Sequence, residues 1–154
     1  MATLPRPIQP ARWSVTAGLA YDSYHDILYV GSEGDDAIYK PAGAGHATSN
    51  LGIGTVIYGD QTVLHGPLGL IFAPNGDLIT ANADPTHFPP SATDPSEIIE
   101  ITRSGSFVRE FSIDPNAGSA FAVDFNRSGP FSQFAYVDDF VSNCTISNLP
   151  GFAF

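Results

Sequence analysis

The sequence predicts an all-β chain made of three similar units in a row, and three observations carry that expectation. Thirteen prolines, fifteen glycines and 12% aromatic residues beside only 14% charged ones are the composition of a protein with many tight turns. No stretch combines apolar residues at three- and four-residue spacing with a capping signal at its start, so no helix is expected. One order of segments also comes three times, with a period of roughly 50 residues that marks a repeat architecture.

The first unit, residues 17–58, opens on a strand of small residues (17–22, with Gly18 and Ala20) and turns at 23–26. It continues in the apolar strand 27–31, a polar loop at 32–36 and the amphipathic strand 37–40, with 55–58 as its outer strand. The second unit, 59–112, repeats this with 67–73, the turn Pro74-Asn75-Gly76-Asp77, 78–82, a long proline-bearing loop, 97–102 and the outer strand 107–111. Proline and glycine at those places suit a tight antiparallel connection. The third, 113–154, offers 118–125, 134–138 and 144–147, but its last residues, 148–154, are too rich in turn formers to be an outer strand.

The small residues of each first strand (Gly18 and Ala20, Gly69 and Ala73, Ala120 and Ala122) suit the crowded axis of a radial array, which puts these strands innermost. The units therefore read as four-stranded propeller blades, and three of them make half a propeller, since rings close with about four to eight blades. The edge left on the third blade needs cover. Residues 1–16 are expected to be an N-terminal closing strand, lent to a second copy in a homodimer that completes a six-bladed ring with two-fold symmetry.

The stretch Leu64-His65-Gly66-Pro67-Leu68-Gly69-Leu70, followed by Ala73-Pro74-Asn75-Gly76-Asp77-Leu78-Ile79-Thr80-Ala81-Asn82, resembles the NHL-repeat and SMP-30-like six-bladed propellers, and looks most like bacterial NHL-repeat proteins. The likeness continues through Ser96-Glu97-Ile98-Ile99-Glu100, Gly105-Ser106-Phe107-Val108 and Phe134-Ala135-Tyr136-Val137-Asp138-Asp139, covering about residues 14–148. Such families hold lactonases, lyases and pure interaction domains, so the resemblance implies a fold and leaves the activity open. A full-length member has about three blades more.

Sixteen acidic residues against six basic ones, with Lys40 the one lysine, give a formal charge of −10. Such a surface repels phosphate backbones, so nucleic acid is not an expected partner. No apolar run is long enough for a membrane span, and the first residues lack the apolar core of a signal peptide. A soluble chain is expected, with a secreted or periplasmic parent left open. Cys144 reads as a small buried strand residue, because no neighbouring base would lower its pKa.

In a radial array the loops entering the inner strands and those joining second to third strands share one rim. That rim would carry Glu33, Asp35 and Asp36 as a candidate metal set, Asp84, His87, Asp138 and Asp139 as ligand-binding residues, and His65 as the candidate catalytic group. Converging carboxylates suit a divalent cation such as calcium, and a histidine at the mouth suits a general base. The plain alternative is that the acids are solvated turn formers. His25 and His46 fall in opposite-face or peripheral turns. The leading functional expectation is a binding or scaffold propeller presenting an acidic rim to a protein, glycan or small-molecule ligand. The alternatives are a metal-assisted hydrolase or lyase, and a truncated or engineered fragment that self-assembles.

Overall fold

A computed structural model describes residues 16–59, 62–82, 96–116, 120–126 and 133–147. They form eleven strands in three antiparallel sheets, with two single-turn 3-10 helices between strands. The first sheet runs in chain order through β1 (Thr16–Asp22), β2 (Ile27–Ser32), β3 (Ala37–Lys40) and β4 (Thr55–Tyr58). The second does the same through β5 (Pro67–Phe72), β6 (Leu78–Asn82), β7 (Ser96–Ile101) and β8 (Phe107–Asp114). The third has β9 (Ala120–Asn126), β10 (Gln133–Asp138) and β11 (Asn143–Ser147), three strands among the described residues. The expected closing strand at 1–16 and the tail at 148–154 lie outside the described residues, apart from Thr16, which opens β1.

The turns follow local chemistry. At Pro74–Asp77 the Gly76 N–H bonds to the Ala73 carbonyl at 2.9 Å, the Ala73 N–H bonds to the Asp77 carbonyl at 2.8 Å, and Gly76 takes φ +92. The β7–β8 turn has the same build, with Gly105 at φ +88, its N–H on the Thr102 carbonyl and the Thr102 N–H on the Ser106 carbonyl. Glycine supplies the positive φ that other residues adopt at a cost.

The sheets stack face to face through their first strands: β5 lies against β1 and β2, and β9 against β5 and β6. The layer between the first two sheets holds Tyr29, Ile38, Leu64, Leu70, Leu78 and Ile99, and the layer between the second and third holds Ile79, Ala81, Ile98, Val123, Phe125 and Phe134. Alternation along β7 sends Ile98 to one layer and Ile99 to the other, both fully buried. Each such side chain contributes about 1.5–3 kcal/mol of transfer free energy.

Close approach of the inner strands depends on glycine. A Cβ at Gly18 would stand 2.8 Å from the Leu70 Cβ, and one at Gly69 would stand 3.1 Å from the Val123 amide nitrogen. Cys144 departs from expectation: it lies on β11 but is exposed, because it points to the face of the third sheet that no other sheet covers among the described residues.

Candidate functional site

The end of the molecule where second strands finish is held by polar side chains. β2 ends on Ser32, whose buried hydroxyl donates to Asp35 Oδ2 at 2.5 Å, and the single 3-10 turn Glu33–Asp35 closes on Asp36 at φ +49. Asp36 Oδ1 accepts the Gly66 N–H at 2.7 Å, which ties the loop of the first sheet to the entry of β5. Beside it His65 is buried, and its N–H donates to Asn82 Oδ1 at 2.5 Å. Asn82 in turn donates from Nδ2 to the Val63 carbonyl at 2.7 Å. Burial, with the charge and hydrogen bond of Asp35, raises the pKa of the Tyr39 hydroxyl above its ordinary 10.0.

The third sheet repeats the device. Asp138 ends β10, is buried, and accepts the Phe140 and Val141 N–H groups at 3.1 and 3.3 Å. This fixes a loop tip whose Phe140 and Val141 side chains stand 66% and 55% exposed beside exposed Asp139. Ser32, Asn82 and Asp138 thus occupy one place, the last residue of the second strand in each sheet. Sequence reasoning took up Asp138 and passed over Ser32 and Asn82. The available signal was a polar residue closing an otherwise apolar strand.

The geometry brings Asp36, His65 and Asn82 together around the entry to β5. It keeps Glu33, Asp35 and Asp36 in one turn, but Asp35 turns to Ser32 and Asp36 to Gly66. Asp138 holds its own loop, and the Ser142 N–H of that loop bonds to the Asp139 carbonyl. Asp84 and His87 lie outside the described residues. Among the described residues no three His, Cys, Asp or Glu side chains converge as a metal site, and no helix is long and apolar enough to cross a membrane.

A cleft of about 460 Å³ opens at the other end, between the first and second sheets, lined by Tyr21, Asp22, Tyr24, Phe72 and Arg103 among others. Asp22 Oδ2 meets Arg103 Nη1 and His25 Nδ1, both at 2.7 Å, while its Oδ1 accepts the Tyr24 and His25 N–H groups. The His25 hydrogen bond, aided by Arg103, lowers the pKa of Asp22 below the ordinary carboxylate value. Arg103 also donates from Nε to the Gly76 carbonyl at 2.6 Å and lies over the Phe72 ring at 4.9 Å. Next to this cluster Asp26 accepts from the Gly45 N–H and the Tyr21 hydroxyl and meets His46 Nδ1 at 2.9 Å. His25 lies in the β1–β2 turn at this opposite end, and His46 in the single 3-10 turn Ala44–His46 between β3 and β4.

No family model matches the chain, and no curated protein does. Among solved structures it is similar to a luciferin-regenerating enzyme, at 17% identity and a TM-score of 0.55, over 86% of this chain and 43% of that one. The chain thus spans less than half the length of that structure, and the likeness is one of fold: an all-β chain of stacked antiparallel sheets.

Proposed function

We propose that the three sheets are blades of a β-propeller of the NHL-repeat and SMP-30-like kind, and that the chain is a binding module whose rim carries Asp36, His65 and Asp138. The observation behind this reading is what the rim carboxylates do. Asp36 and Asp138 hold backbone N–H groups and Asp35 holds a hydroxyl, so these acids stiffen loops. The loop fixed by Asp138 offers Phe140 and Val141 to solvent beside Asp139, a rigid tip that mixes apolar and acidic groups. Exposed apolar groups rimmed by polar ones suit a protein, glycan or small-molecule partner.

A metal-assisted hydrolase or lyase is the second reading, favoured by the place of His65 beside Asp36 at the entry of an inner strand and by the enzyme name of the structural neighbour. A panel of lactones and aryl esters, assayed with and without added calcium, separates the two. The binding reading expects no turnover above buffer. Metal-dependent turnover that is lost in His65→Asn would replace it with the hydrolase reading.

A further inference from the structure

The two joints between sheets follow one rule. At the first, Gly18 lies against Leu70; at the second, Gly69 lies against Val123. Each joint sets a small residue of one inner strand under the branched side chain that follows the corresponding small residue of the next. Leu70 and Val123 are buried by this arrangement, at 4% and 9% exposure.

Among the described residues the series leaves one member over at each end. Leu19 holds the place of Leu70 and Val123, directly after the small residue Gly18, yet it is 59% exposed. Ala122 holds the place of Gly18 and Gly69, directly before Val123, and among the described residues no further sheet lies on its face. Strand pairing puts Ala122, Val137 and Cys144 in one row and Asp124, Ala135 and Ile146 in the next, so all lie on that face. A shallow hollow of about 250 Å³ runs there past Ala122, Ala135, Val137 and Cys144, and Ile146 beside it is 64% exposed.

We propose that these ends are the two halves of one interface: Leu19 of one copy of the chain seats on Ala122 of a second copy, in the register the chain already uses twice. The occupant is a second copy because the missing half of each end is present on the other. Two copies supply six sheets, within the range that closes a propeller, and both interfaces are then the same contact. This rests on the propeller reading. Charge opposes the association, since each chain carries −10 and like charges are screened by salt. The joint therefore tightens as ionic strength rises.

The test is solution mass by light scattering across concentration and salt, with the rate of maleimide labelling at Cys144 in the same samples. The expected result is two chains per particle, favoured by salt, with Cys144 protected. Leu19→Asp and the surface variant Ile146→Asp, each checked for unchanged circular dichroism, should raise the dissociation constant at least about tenfold and release Cys144 to labelling. A particle of one chain with freely reactive Cys144 overturns the proposal, as does a dimer that survives both variants. A ladder of masses growing with concentration overturns the closed ring, because a joint that does not close builds filaments. None of these outcomes bears on turnover, so the rim reading stands or falls separately.

Discussion

At φ +53, Asp26 holds a left-handed backbone that costs a non-glycine residue about 1–2 kcal/mol, and its side chain offsets that cost. Its carboxylate accepts the nearby Tyr21 hydroxyl, and it also meets His46 and accepts the Gly45 N–H, contacts that reach from the β1–β2 turn to residues 20 and 19 positions along. The His46 bond, with help from Gly45 and Tyr21, lowers its pKa from 3.8 to about 2. The folded state then binds this proton more weakly than the unfolded chain. The stability tied to Asp26 is present above pH 3.8 and is lost as the pH falls through about 2. Urea titrations between those limits should show the midpoint dropping on acidification, and Asp26→Asn should flatten that part of the profile. The same residues show what a sequence reveals at this scale. His25 could be placed in its turn because the β1–β2 hairpin is local. The grip of Arg103 on Asp22 spans 81 positions, and nothing in either neighbourhood announces it.

At the scale of elements, two turns of one build differ in their surroundings. Gly76 and Gly105 both have positive φ, so alanine strains either backbone by about 1 kcal/mol. Beyond that, a Cβ at Gly76 meets the Arg103 guanidinium at 3.2 Å, whereas one at Gly105 would lie 1.8 Å from the Ile57 carbonyl oxygen on β4. A side chain can move aside more readily than a paired strand. Gly105→Ala should therefore cost at least about 1 kcal/mol more than Gly76→Ala, read as the difference in chemical denaturation midpoints at constant m-value. The strands themselves were legible, because alternation and turn formers are written into short stretches: 27–31, 55–58 and 78–82 become β2, β4 and β6 nearly residue for residue. β8 runs on to Asp114, three residues past its expected end, because its continuing pairing with Ser96 depends on where the partner strand starts. Cys144 was misjudged for a related reason: its strand is local information, and what covers a strand is not.

For the whole molecule, the repeated order of segments made three sheets legible, since each unit carries its own hairpins. The joints between sheets were legible only as small residues on inner strands. That Gly18 receives Leu70 and Gly69 receives Val123 is a matter of packing across about fifty residues of chain. The candidate rim was legible in outline, as loops gathered at one end, while the use of its carboxylates as backbone anchors depends on contacts between loops. The stacking order has a further consequence for how the chain opens. The second sheet has a neighbour on both faces, and the first and third have one each among the described residues. All five residues of β6 are buried, and β7 sends isoleucines into both layers. Local opening is easiest where few buried contacts are lost, so either flanking sheet can loosen while the middle one holds. Amide hydrogen exchange in the dissociated single chain should then grade outward, with β6 and β7 keeping their protons longest, and the middle sheet would act as the unit that every partly open state of that single chain has in common.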